Sequence, residues 1–142
     1  MSPNINHGFV LLHPHILQAI QAEFVTRHGG RVGLRAQSPI KILHARAQLL
    51  ADDPSPDIIK LAAHYGHGIA SDPLFEDGSA AVAFVAVETF LQINHHRLRA
   101  DDTICFLGFS VLANGGLSYD RFYDWLKERV TPSPKSARLS VA

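Results

Sequence analysis

Ser71–Asn94, SDPLFEDGSAAVAFVAVETFLQIN, is the stretch on which the fold turns. Asp77, Gly78 and Ser79 are a helix-start signal, because short oxygen-bearing side chains accept hydrogen bonds from first-turn amides that have no helical partner. Ala80 to Val87 then carries no polar residue, and Phe90, Leu91 and Ile93 prolong the run past Glu88 and Thr89. A helix apolar on all sides is one enclosed by other elements, so the stretch predicts a central, buried helix. Its N-terminal amides and the carboxylates of the preceding loop also make that end the place to look for phosphate or metal chemistry.

Working outward, helix signals recur on both sides. Pro14 suits a first turn, the apolar positions Ile16, Leu17, Ile20, Phe24 and Val25 follow at helical spacing, and Gly29-Gly30 is a stop. GGRVGLRAQ reads as a loop. Ser38-Pro39 starts a helix through about Leu50, with Ile40, Leu43 and Ala47 on one face, and Ser55-Pro56 starts a third through about Ala70. Gly66 and Gly68 inside the third mark either close helix approach or an early end, since glycine costs roughly 1 kcal/mol against alanine in a helix. Past Asn94 the chain turns through HHRLR. Asp101-Asp102 then opens a helix carrying Ile104, Cys105, Leu107, Phe109, Val111 and Leu112, and Ser118 caps a last one with Phe122, Trp125, Leu126 and Val130. Phe9–Leu12 is a short strand or an extended lead-in, and no alternating strand pattern of useful length occurs. The prediction is an all-α, single-domain bundle of about six helices around a central buried helix, over residues 1–130, with 131–142 a flexible tail.

Composition limits the function classes. Lys plus Arg and Asp plus Glu both number 13 in 142 residues, a balance that argues against nucleic-acid binding. The longest apolar run falls far short of the ~20 residues of a membrane span, so a soluble protein without membrane contact is expected. The single Cys105 has no internal disulfide partner, in keeping with a reducing, cytoplasmic setting, and its apolar surroundings make it a buried hydrophobe before a reactive thiol. Nine histidines invite a metal reading. His64 and His67 share a helix face and His95-His96 are adjacent, but neither pair sits in an HExxH or cysteine pattern, and a packed histidine is the alternative.

The order of features, GGRVGLR, then LAAHYGHGIASDPLFEDG, then an apolar helix ending FLQINHHRL and followed by ADD, resembles the death-on-curing, Doc-like branch of the Fic/Doc (Fido-fold) family over roughly residues 10 to 130. That family's signature loop, His-x-Phe-x-Asp-Gly-Asn-Lys-Arg, falls without a gap on Pro73 to Ala81. Phe75, Asp77 and Gly78 match its wall-forming aromatic, its metal-associated acid and its phosphate-loop glycine. The catalytic histidine is Pro73, which moves no proton; the asparagine is Ser79; the phosphate-neutralising lysine and arginine are Ala80 and Ala81.

By this resemblance Gly78, Ser79 and Ala80 are the phosphate-binding positions and Asp77 the metal position, with helix capping as the alternative role for Asp77 and Ser79. ATP or another nucleotide with magnesium is the implied cofactor, held weakly or not at all. Losing a base removes a factor of about 10² to 10⁴, and losing two cations costs on the order of several kcal/mol more. A nucleotidyltransferase-like pseudoenzyme is therefore expected, unable to move phosphate or nucleotide onto protein hydroxyls and acting through protein binding in a toxin–antitoxin manner. An antitoxin-like protein and a protein target are its implied partners. The alternative is an active phosphotransferase or AMP-transferase toxin whose altered site uses Glu76, Asp77 or His67. Two further departures fit the first reading: Ala36 stands where the GLR loop usually continues with an acid, and no glutamate has the upstream Ser/Thr of the family's self-inhibitory motif.

Overall fold

The computed structural model describes residues 8–71 and 74–133. Within them the chain forms six α-helices, α1 (Pro14–His28), α2 (Ser38–Ala51), α3 (Ile58–Ala70), α4 (Ser79–Ile93), α5 (Asp102–Ala113) and α6 (Tyr119–Lys127), and two short strands, β1 (His96–Leu98) and β2 (Val130–Pro132). The fold is all-α in class, as expected. The strand pair is the addition: β1 and β2 run antiparallel with His96 opposite Pro132 and Leu98 opposite Val130. It takes Thr131 and Pro132 into the folded unit, past the expected boundary at 130; residues 134–142 lie outside the described ones.

Local chemistry explains most helix ends. The Asp101 side chain accepts from Ile104 N–H and that of Ser118 from Arg121 N–H, each satisfying an amide of the first turn. α3 starts later than Ser55-Pro56 suggests, because the Asp57 carboxylate accepts from the N–H groups of Ile59 and Lys60. Ser38 is the first residue of α2, and the capping position before it is Gln37, whose side chain makes no capping bond. His13 begins α1, its Nδ1 accepting from His15 N–H at 3.1 Å.

The core lies where α3 and α4 meet. α4 packs against α1, α3, α5 and β1, and α3 also touches α2, α5 and α6. Both glycines of α3 mark close approach and not an early end: a Cβ on Gly66 would stand 2.5 Å from the Phe122 ring, and one on Gly68 would collide with the Leu43 side chain. Phe84, Phe109, Phe122 and Trp125 form a connected aromatic cluster with ring centroids 5.4–5.9 Å apart. α4 is central but not enclosed. Val82, Ala83, Ala86, Val87, Phe90 and Leu91 are buried, whereas Val85 is 37% exposed and Ala80, Ala81 and Phe84 are half-buried. The gap between α1 and α5 over the first turns of α4 leaves that side open.

The far end of α4 is closed by one residue. Asn94, 4% exposed, accepts from Val10 N–H at 2.7 Å and donates to Val10 O at 2.9 Å and Phe90 O at 2.8 Å. Phe9–Leu12 is thereby an extended lead-in outside any strand, held also by Leu12 N–H donating to the Tyr65 hydroxyl at 3.0 Å.

Candidate functional site: the cleft at the start of α4

The loop before α4 is assembled from three pieces of chain. Phe75 is 1% exposed, a core residue that roots the loop. On either side of it the backbone pairs with the glycine-rich loop: Arg35 N–H donates to Leu74 O at 3.1 Å, and Glu76 N–H to Gly33 O at 3.0 Å. The Asp77 carboxylate accepts from Arg31 N–H at 2.8 Å, under a Gly30 whose Cβ would lie 3.1 Å from Asp77 Cβ. Gln21 of α1, 1% exposed, completes the join. Its Nε2 donates to Arg31 O at 2.8 Å and Asp77 O at 3.2 Å, and its Oε1 accepts from Gly33 N–H at 3.0 Å.

These bonds correct the expected helix start. The Asp77 side chain holds residue 31 and does not cap α4, and Ser79 is the first helical residue. The capping position belongs to Gly78, in the left-handed region at φ +83°, with no side-chain capping bond. Only glycine sits there without strain, and a Cβ would also stand 2.8 Å from the Phe24 ring. The helical ladder begins with Val82 N–H donating to Gly78 O at 2.8 Å, so the amides of Ser79, Ala80 and Ala81 precede it. The reading at Pro73 lies outside the described residues.

Gly78, Ser79, Ala80 and Ala81 thus come together as the sequence suggests, on the floor of a cleft of about 620 Å³ between α1, α4 and α5. Its walls are what sequence reasoning missed. Phe24 stands on one side, Phe84 on the floor, and Phe106, Phe109 and Ser110 on the other, with Asp102 and Cys105 completing it. The spacing of 106, 109 and 110 on one helix face is the signal that was there to be read. Among the described residues no Lys or Arg lines this cleft, and its one charged side chain is Asp102.

Electrostatics at the wall follow from that composition. The Cys105 thiol is pushed up by burial first, then by the carboxylates of Glu88, Asp102 and Asp101, with only Arg129 opposing. It is a protonated, packed thiol, as its sequence context predicted. Glu88 is raised by burial and then by Asp102.

The histidine pair of α3 sits elsewhere. His64 and His67 line a groove of about 750 Å³ with Ile42, Arg46, Leu74 and Tyr119, on which none of Gly78 to Ala81 borders. His64 Nε2 donates to Leu43 O at 2.8 Å, and His67 Nδ1 lies 3.1 Å from the Ser71 hydroxyl. Burial lowers both rings below the usual histidine range. Among the described residues no group of three or more His, Cys, Asp or Glu is placed to hold a metal ion, and no helix is long and apolar enough to cross a membrane. Compared with models of known protein families and with curated proteins, the sequence gives no match to either.

Proposed function

We propose that the chain is a non-catalytic binding module, a degenerate Doc-like relative of Fic proteins that acts by engaging a partner protein in a toxin–antitoxin manner. The supporting observation is the lining of the cleft at the start of α4. Where the family reaction needs cations around phosphate oxygens, this cleft offers Ala80, Ala81, phenyl rings and the carboxylate of Asp102. Phosphoryl and nucleotidyl transfer depend on positioning and on charge stabilisation, so a wall of this kind works against binding a triphosphate before any question of a base arises. The groups that remain favourable to phosphate are the leading amides of α4, worth about half a unit of positive charge, and the cleft beside them carries the carboxylate of Asp102. A nucleotide with magnesium therefore has no part in this reading. The partners are an antitoxin-like protein and a protein target, in a cytoplasmic setting.

Two measurements test it. Incubation with lysate proteins and ATP labelled in the γ- or α-phosphate is expected to leave no label on protein above a heat-killed control. Calorimetry with magnesium and ATP at millimolar concentration is expected to show no binding heat. Label transfer overturns the proposal in favour of an active phosphotransferase or AMP-transferase with a rebuilt site.

A further inference from the structure

We infer that the cleft between α1, α4 and α5 binds a small organic cation, an amine carrying an aromatic or branched apolar body, with its ammonium at Asp102 and its body against the phenyl rings. Charge complementarity selects this ligand. Among the described residues the only charged side chain on the lining is the carboxylate of Asp102, and four phenyl rings line the same cleft, those of Phe24, Phe84, Phe106 and Phe109. The faces of such rings carry negative potential and attract cations within about 6 Å of the centroid. The volume of about 620 Å³ is that of a ligand pocket, mostly apolar with a few polar groups that orient the occupant.

A probe of the field is built into the wall. Cys105 lines the cleft and feels three carboxylates, those of Glu88, Asp102 and Asp101, against one guanidinium, that of Arg129. Three carboxylates against one guanidinium make the side-chain charge around Cys105 negative. The leading amides of α4 supply the opposite sign at the Ser79 end, which orients the ligand: the ammonium points to α5, and any hydrogen-bond acceptor points to α4. Phe106, 71% exposed at the rim, is the side chain with most apolar surface to gain from an occupant.

The inference rests on the reading that this cleft has left phosphate chemistry, and the test keeps the two apart. The full chain, labelled with ¹⁵N, is titrated with 2-phenylethylamine, 2-phenylethanol and phenylacetate, and separately with magnesium and ATP. The amine is expected to shift the amides of Ser79, Ala81, Phe84, Cys105 and Ser110. Because Asp102 is solvent-exposed and partly screened, the amine is expected to bind about three- to tenfold tighter than the alcohol. Asp102→Asn, which leaves the capping Asp101 in place, should abolish that preference, and Phe106→Ala should weaken amine and alcohol alike. The inference is overturned by phenylacetate binding as tightly as the amine, by Asp102→Asn keeping the preference, or by no shift with the amine. Binding of magnesium and ATP at the same amides refutes the loss of phosphate binding whatever the amine does. Failure of the amine without nucleotide binding refutes the amine site alone.

Discussion

At its C-terminal end α4 runs into Asn94, whose side-chain amide makes three hydrogen bonds, and then into the β1–β2 pair. At its N-terminal end it starts from Gly78 without a side-chain cap, and a cleft of about 620 Å³ opens over the first turns. Among the described residues, one end of this helix thus has its polar groups met by a side chain and the other end borders a cavity. Buried polar groups that are met specify a structure; groups left at the edge of an apolar cavity are available to a ligand. Stability should accordingly be concentrated at the Asn94 end and tolerance at the Ser79 end.

The sharpest way to break this contrast is Asn94→Ala, which strands the N–H and C=O of Val10 and the Phe90 carbonyl. A loss of about 2–4 kcal/mol is expected, read as a lower urea midpoint at unchanged slope. Gly78→Ala comes next, at about 1–2 kcal/mol in the same assay, because a left-handed backbone is costly for alanine and the new methyl meets the Phe24 ring, which has room to turn toward the cleft. A smaller and pH-dependent effect belongs to His64. Burial, then Arg46 and His67, lower its ring from 6.5 against the raising bond to Leu43 O. The unfolded chain thus takes up a proton that the folded chain resists, and stability should fall as pH drops below about 6.5. His64→Gln should reduce that decline in thermal melts, leaving the part due to His67 and His44, which burial also lowers. Glu88, raised from 4.5, acts with the opposite sign, so the histidine effect is read above about pH 5.5. Least affected is Ser79→Ala, expected to stay within about 0.5 kcal/mol because Ser79 lies inside α4 and the capping position is Gly78. A loss above 1 kcal/mol there, in rough terms, would erase the contrast.

What the sequence made legible was whatever repeats along one helix. Helix starts at Pro14, Asp101 and Ser118, the stop at Gly29 and the dense core around Leu43, Phe90 and Leu91 follow from local spacing and capping chemistry. Faces were harder. On α1 the buried stripe is Leu17, Gln21 and Val25, with Ile16 46% exposed, so the stripe is rotated from the one its apolar residues suggest. Ile104, Leu107 and Val111 of α5 are exposed, and their side of the helix was not legible because a nearly all-apolar helix carries no periodic signal to orient it. The strands are three residues each, too short for alternation to register, and their pairing spans more than thirty positions of chain. The candidate site divides in the same way. Gly78, Ser79, Ala80 and Ala81 are contiguous and were found together, whereas Phe24, Phe106 and Asp102 reach the cleft from other helices by packing alone.

Gln21 has a consequence for motion. One side-chain amide is bonded to Arg31, Gly33 and Asp77 at once, so neither the glycine-rich loop nor the start of α4 can lift away without releasing the other. In native-state hydrogen exchange the amides of Arg31, Gly33 and Glu76 should open together with one common free energy, as a single cooperative unit. Gln21→Leu should lower that common free energy, most at Gly33, which loses its acceptor, while leaving the exchange of Asn94 unchanged.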